Sequence, residues 1–234
     1  MIENLLELEK TVFLSLNSLH TPYWDVFMWI YTGKYTWIPL VLVFLSMIIY
    51  KNKWTEALLI IFAALLVGIL CDQISASVIK PYFLRLRPTH HPDFYLIVDT
   101  VFNYRGGRYG FVSSHATNGL GIVTFTSLLF RYKYFTYTFV GWALLSCYSR
   151  IYLGVHFVSD ILGGAILGSI IGILVYYLYI LGRKYILRIP QKELCTPVLD
   201  TSKAKTLIFS MIIIVVSVAI YAGIFESQFL GDLS

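Results

Sequence analysis

Three short segments of the chain carry side chains that could bind and cleave a phosphate group. The first is residues 80–88, which place Lys80, Arg85 and Arg87 close together in front of a proline. Positive charge at this density repels itself unless an anion is present. The simpler alternative is that the three side chains reach out to lipid phosphates at a membrane edge.

The second segment is Ser113-Ser114-His115. Hydroxyl groups beside a helix N-terminus supply hydroxyl and amide donors to an anion. Ser113 or Ser114 could equally be an ordinary helix cap, and His115 an ordinary interfacial residue.

The third segment holds Arg150, His156 and Asp160. If a helix begins near His156, the imidazole and the carboxylate share one helical face, because they are four residues apart. A carboxylate beside an imidazole fixes its tautomer and raises its basicity. The alternative is a structural hydrogen bond with no chemical role.

Composition limits the kind of molecule that carries these segments. The 234 residues are 58% hydrophobic and only 13% charged. A soluble domain is nearer half apolar and a quarter charged, so this chain cannot clothe a water-exposed surface. The apolar content also excludes a disordered chain. The net charge of +5 fits nucleic acid, an anionic membrane surface or an anionic substrate and does not choose among them.

Runs of about 20 apolar residues predict helices that span a membrane. The sequence predicts an all-α integral membrane bundle of about six such helices, although the first could start earlier, near residues 24–29. The predicted spans are residues 35–51, 55–79, 113–131, 134–153, 157–181 and 206–226. Gly164, Gly168 and Gly172 recur every four residues in the fifth span, a spacing that predicts close helix packing.

The chain divides at residue 34 in this interpretation. Residues 1–34 form an N-terminal interfacial segment, because their apolar residues recur at helical spacing and predict an amphipathic helix. Residues 35–234 form the six-span domain, with a polar loop at about residues 80–112. All three phosphate-binding segments then fall at span ends on one face of the membrane.

Basic residues predict the orientation of the bundle. Ten of them lie on the face opposite the three segments, and the positive-inside rule makes that face cytoplasmic. They are Lys51, Lys53, Arg131, Lys133, Arg183, Lys184, Arg188, Lys192, Lys203 and Lys205. The three segments would then face the periplasm or the exterior of a bacterial cytoplasmic membrane.

Taken together, the segments offer fixed cations, donors, two histidines and a carboxylate, which are the parts for phosphoryl transfer through a covalent histidine. Their order resembles the type 2 phosphatidic acid phosphatase family: Lys80, six residues, Arg87-Pro88; then Ser113-x-His115; then Ser149-Arg150, five residues, His156, three residues, Asp160. The motifs cover residues 80–160. The family usually has Pro-Ser-Gly-His in the middle motif, and here Val112 and Ser114 replace the proline and the glycine.

The resemblance implies a role for each matched residue. His156 would attack phosphorus, oriented by Asp160, and His115 would protonate the leaving oxygen. The phosphate would be held by Lys80, Arg87, Ser113, Ser114 and Arg150. The family mechanism needs no metal and no cofactor, and the sequence shows no cluster with metal-ligand spacing.

The remaining cations bear on the substrate. Arg85, Arg105 and Arg108 are predicted to contact an anionic headgroup or a second phosphate. Asp72 could pair with a site cation or tether neighbouring helices, and His90 and His91 could line the substrate mouth or be solvated loop residues. The family implies a membrane lipid phosphate as substrate, with lipid A or undecaprenyl diphosphate favoured and phosphatidylglycerol phosphate or phosphatidic acid possible. No nucleic acid partner is expected. The alternatives are a membrane transporter and a non-catalytic protein that binds lipid phosphates.

Overall fold

The computed structural model describes residues 2–194 and 196–231, with side chains described for residues 8–194 and 196–227. The described residues form ten α-helices joined by short turns and one long loop. The helices are α1 (Ile2–Asn17), α2 (Pro22–Tyr31), α3 (Ile38–Ile49), α4 (Trp54–Gln73), α5 (Lys80–Phe83), α6 (Ser114–Phe130), α7 (Lys133–Tyr152), α8 (Val158–Tyr185), α9 (Gln191–Leu194) and α10 (Thr201–Gly231).

The N-terminal segment is two helices rather than one. Helix α2 begins at Pro22, which needs no backbone N–H there, and Thr21 caps it by accepting from Trp24 N. Val26 and Phe27 of α2 pack in one cluster with Val218 and Ala222 of α10. The division predicted at residue 34 therefore marks no gap in the packing.

Helix α1 has two apolar faces. Phe13 is fully buried between Phe94 and Phe157, whereas Leu8 and Val12 point outward and are 60% and 37% exposed. An outward apolar stripe on a surface helix is typical of a helix lying on a membrane. Its interfacial position therefore stays a prediction, which these two exposed side chains favour.

Three helices are long and apolar enough to span a membrane among the described residues: Trp54–Phe83, Val158–Tyr185 and Thr201–Ser227. Helix α2 and the segment Lys34–Ile49 qualify together as a fourth, bent by 60° at their junction. The all-helical membrane fold is confirmed, but the count of six is not. The predicted span 35–51 is the second half of the bent pair, and the predicted spans 113–131 and 134–153 are α6 and α7.

The span that starts at Trp54 changes its winding before the polar loop. Residues Ile74–Ile79 form a π-helical turn between α4 and α5, and the helix ends where Leu84 takes a left-handed conformation. π-Turns inside helices often occur at functional sites because they rotate the following residues. Here the turn precedes Lys80, the first cation of the first motif.

The predicted glycine packing in α8 is confirmed. A β-carbon added at Gly164 would lie 2.6 Å from Ser113 O, and one at Gly168 would lie 2.1 Å from Thr117 O. These contacts are to backbone atoms of α6, so α6 and α8 touch along their main chains. The glycines therefore hold the helix that begins at the second motif against the helix that begins at the third.

We expect Gly168→Ala to destabilise the protein, because the added β-carbon would overlap the backbone carbonyl of Thr117, which can move away only if α6 shifts. Overpacking of this kind costs roughly 1–3 kcal/mol, which lowers Tm by several degrees. Thermal unfolding in detergent measures it. Gly68→Ala is the matched control, since a β-carbon there meets no atom within 4 Å. An equal Tm for both variants would contradict the packing argument.

Candidate active site

The three motifs meet where α6 and α8 begin and α7 ends. Ser113, which caps α6, donates its backbone N–H to Asp160 O at 3.0 Å. This bond joins the second motif to the third. A single antiparallel bridge between Leu86 and Tyr109 folds the loop back on itself and brings the first motif alongside.

His156 and Asp160 form a buried pair. Their side chains are 1% and 0% exposed, and His156 Nδ1 lies 3.4 Å from Asp160 Oδ2. The same carboxylate oxygen accepts from Phe157 N at 3.0 Å, which caps α8. With Nδ1 turned to the carboxylate, Nε2 is the ring nitrogen free to react. A contact of this length in an empty site is expected to tighten when substrate binds.

The charges around His156 keep its imidazole neutral. Burial lowers the pKa of His156 well below its ordinary value, and the positive charges of Arg87, Arg150 and Lys80 lower it further. A neutral imidazole has a free electron pair on the nitrogen that faces away from Asp160. A neutral imidazole of this kind is chemically able to act as a nucleophile.

The cations of the site have no counter-ions. Among the described residues, neither Lys80, Arg87 nor Arg150 forms an ion pair. Arg150 is 3% exposed and donates from Nη1 to Thr32 Oγ1 at 3.0 Å, but its Nε has no partner among those residues. Arg87 donates from Nε to Tyr109 O at 3.1 Å, and its buried Nη1 is likewise unpartnered.

This arrangement is unfavourable without a ligand. Burial lowers the pKa of Arg87 below its ordinary value, and the positive charge of Arg150 lowers it further. Guanidinium groups do not lose their protons in proteins, so the repulsion persists. Unpaired buried cations with free donors beside a nucleophilic imidazole fit a phosphate, whose oxygens accept such donors.

The two serines of the second motif do different things. Ser113 Oγ accepts from Ala116 N at 3.5 Å, as a helix cap does. Ser114 Oγ accepts from Lys80 Nζ at 2.6 Å and from Ser75 Oγ at 2.8 Å. The residue that stands where the resembling family has glycine therefore holds the lysine of the first motif in place.

His115 lies at the open side of the site. It is exposed, in contrast to His156, and the charges of Arg150, His156, Arg87 and Lys80 all act on it. An accessible imidazole beside these cations can exchange protons with a bound ligand or with water. Both motif histidines thus face one anion site, one buried and one accessible.

Comparison with known proteins identifies the family. The PAP2 superfamily profile matches residues 56–183, which include all three motifs of the site. The chain belongs to the PAP2 superfamily.

Several relatives of this PAP2 protein act on lipid phosphates by name. It is 46% identical to the lipid A 4′-phosphatase of Porphyromonas gingivalis over 182 residues, which cover 78% of this chain and 77% of the relative. It is 36% identical to the lipid A 4′-phosphatase of Bacteroides thetaiotaomicron, over 76% of this chain and 80% of the relative. Phosphatidylglycerophosphatase B of Bacillus subtilis is 30% identical over 59% of this chain and 65% of its own.

Two solved structures share the fold. LpxE of Aquifex aeolicus superposes with a TM-score of 0.54 at 25% identity, covering 71% of this chain and 93% of its own. The transmembrane PAP2-type phosphatidylglycerolphosphate phosphatase of Bacillus subtilis gives a TM-score of 0.54 at 22% identity, covering 80% of this chain and 89% of its own. The chain is therefore a membrane-embedded PAP2 phosphatase that acts on a lipid phosphate.

Arg85 has a different setting in this PAP2 protein from the one expected. Its Nη1 donates to Asp160 Oδ1 at 2.9 Å, and its Nη2 donates to Glu9 Oε2 at 2.7 Å. Both ends of the guanidinium are thus engaged by carboxylates, and contact with a headgroup stays a prediction. Sequence reasoning missed Glu9, because no local spacing connects residue 9 with residues 85 and 160.

The other predicted cations lie at the rim. Arg105 and Arg108 are exposed; Arg105 Nη1 donates to Thr89 O at 3.4 Å, and Arg108 lies over the Tyr109 ring. Both repel charge at His90, whose pKa is lowered by burial first and then by these neighbours. Contact of the two arginines with a headgroup stays a prediction.

His91 and Asp72 lie away from the three cations of the site. His91 Nδ1 is 3.8 Å from Asp93 Oδ2, in the polar loop at about residues 80–112. Asp72 is exposed and, among the described residues, forms no ion pair, although its charge acts on Lys80. Thr32, which holds Arg150, is a further site contact that the sequence did not indicate.

Proposed function

We propose that this protein removes a phosphate group from lipid A through a phosphohistidine on His156, without a metal ion, at the outer face of a bacterial cytoplasmic membrane. One observation carries the proposal: a buried His156–Asp160 pair lies among three cations that form no ion pair with any side chain that the structure describes. That arrangement needs a phosphate to balance its charge and offers a nucleophile to attack it.

The first step transfers phosphorus to the enzyme. The electron pair of His156 Nε2 forms an N–P bond while the bond from phosphorus to the lipid oxygen breaks. The leaving oxygen takes a proton from His115, which releases the lipid alcohol. Lys80, Arg87 and Arg150 stabilise the charge that collects on the phosphate oxygens in the transition state.

The second step releases phosphate. A water molecule attacks phosphorus and gives its proton to His115, which is then neutral. The N–P bond breaks, its electron pair returns to Nε2 of His156, and inorganic phosphate leaves. Asp160 supports the positive imidazole ring throughout, because its carboxylate faces Nδ1.

The substrate and the orientation rest on separate observations. The two relatives named lipid A 4′-phosphatases cover about three quarters of the chain and favour lipid A, at its 4′-phosphate. The ten basic residues named above lie at the helix ends far from the site or in the segments beyond those ends. The positive-inside rule then places the site on the opposite, outer face.

The proposal predicts substrate preference and metal independence together. Purified protein in detergent is given lipid A, undecaprenyl diphosphate, phosphatidylglycerol phosphate and phosphatidic acid, each with and without EDTA, and free phosphate is measured. We expect the fastest release from lipid A and no loss with EDTA, because every group in the steps above belongs to this chain.

Three outcomes would argue against parts of the proposal. Faster release from another lipid would replace lipid A as substrate. Release that stops with EDTA and returns with added metal would contradict the metal-free route. Release of the 1-phosphate rather than the 4′-phosphate, seen by mass spectrometry of the product, would reject the regiochemistry.

A further inference from the structure

The carboxylate of Glu9 on α1 reaches the first turn of α8, which is 150 residues further along the chain. Glu9 Oε1 accepts from Ser159 N at 3.0 Å and from Ser159 Oγ at 2.5 Å. The first N–H groups of a helix have no partner within the helix, and its N-terminus favours negative charge. Glu9 thus caps the helix that carries Asp160, from a separate element.

The second oxygen of Glu9 reaches the catalytic pair through Arg85. Glu9 Oε2 lies 2.7 Å from Arg85 Nη2, and Arg85 Nη1 lies 2.9 Å from Asp160 Oδ1. The guanidinium is held flat over the Phe157 ring, 4.6 Å from its centroid. An unbroken line of contacts therefore runs from Glu9 through Arg85 and Asp160 to His156.

The charges along this line explain what Glu9 contributes. If Arg85 paired with Asp160 alone, the charges of the two side chains would cancel. A pair with no net charge would stabilise a positive imidazole only weakly. Because Glu9 shares the guanidinium, the two carboxylates and one cation keep a net negative charge beside His156. That charge is needed when the ring becomes positive, which happens as Nε2 bonds to phosphorus.

We propose that Glu9 is a positioning residue for the reaction: it holds Arg85 and the start of α8 so that Asp160 stays oriented and charged toward His156. Glu9 does not touch the substrate in this role. The inference rests on the proposed function, since it takes His156 as the nucleophile.

The test compares Glu9→Gln and Glu9→Asp with the unaltered full chain in detergent, measuring phosphate release from lipid A across pH. We expect Glu9→Gln to lower kcat by roughly 10-fold, as loss of an outer-shell partner commonly does, with KM changed less than about twofold. A purely structural tether would lower Tm without this split between kcat and KM.

The pH profile supplies a second readout. His156 is faced by Lys80, Arg87 and Arg150, by His115 and by Asp160. Removing the Glu9 charge makes the imidazolium harder to form, so the pKa of His156 falls. The acid limb of kcat/KM should then move to lower pH by roughly half to one unit. Glu9→Asp, which keeps the charge, should leave the limb close to its original position.

Asp93→Asn is the matched control. Asp93 lines the same cavity of about 490 Å³ as Glu9. Its replacement by asparagine removes one negative charge, as Glu9→Gln does, but Asp93 does not contact Arg85. Unchanged kcat and pH profile in Glu9→Gln, or an equal shift in Asp93→Asn, would overturn the inference.

If Glu9→Gln does not fold, Arg85→Lys must show the kcat loss, since lysine cannot bridge both carboxylates. His156→Ala, assayed in parallel, separates the two proposals: activity in that variant would sink the proposed function itself.

Discussion

His156→Ala is expected to lower phosphate release from lipid A by roughly 10⁴-fold or more, the largest effect of any single substitution in this protein. In the proposed mechanism, the alanine removes the nitrogen that bonds phosphorus, and no later step can proceed without that bond. Steady-state phosphate release measures the loss, and the unfolding temperature verifies that the variant folds.

The covalent intermediate gives this prediction a direct signature. Rapid alkaline quenching of the unaltered protein with radiolabelled substrate should trap phosphate on the protein, and acid should release it, as a phosphorus–nitrogen bond requires. His156→Ala should trap none. His91→Ala is the control, since His91 lies in the polar loop at about residues 80–112, beside Asp93. Trapped phosphate in His156→Ala, or none in the unaltered protein, would rule out the phosphohistidine.

Arg150→Met is expected to remove activity and to stabilise the ligand-free protein against unfolding. Arg150 is buried, its Nε lacks a partner among the described residues, and two further cations act near it. Removing one oxyanion-type donor costs about 10²–10³ in kcat. Removing an unpaired buried charge should raise the free energy of unfolding by on the order of 1 kcal/mol.

Vanadate separates the two effects, because it mimics the phosphate transition state. It should raise the Tm of the unaltered protein by neutralising the cations and should leave the Tm of Arg150→Met nearly unchanged. Phosphate release and thermal unfolding, with and without vanadate, supply the four measurements.

Arg183→Met is the matched control for burial. Arg183 is 6% exposed, but its Nε lies 3.2 Å from Glu56 Oε1, and its Nη1 donates to Leu194 O at 2.7 Å. Methionine there would leave the buried Glu56 carboxylate without its cation, although the Tyr179 hydroxyl still donates to it. Breaking a buried ion pair in this way costs about 3–5 kcal/mol. Opposite shifts in Tm for the two arginines are therefore expected. A lower Tm for Arg150→Met as well would contradict the claim that the site is held under charge repulsion.

The sequence by itself determined the membrane-embedded, all-helical class and predicted which residues form the site. Whether a segment is apolar enough to span a membrane can be judged from its own residues. The structure therefore shows helices at the strongest predicted spans, which are residues 55–79, 157–181 and 206–226. The spacing of His156 and Asp160 is likewise a local property, because four residues make one turn of helix. The glycine spacing in α8 indicated close packing for the same reason, although not which helix it would meet.

Only the tertiary structure decided which distant side chains complete the site. The first predicted span is the second half of a bent helix pair. The first half, α2, packs against α10, which is almost 200 residues further along the chain. Ser114 holds Lys80, and Glu9 holds Arg85 and Ser159, through contacts between residues 34 to 150 positions apart. Such contacts depend on how whole helices pack and leave no period or spacing in the chain. The residues proposed to perform the chemistry could therefore be predicted from their motifs, whereas those that position them could not.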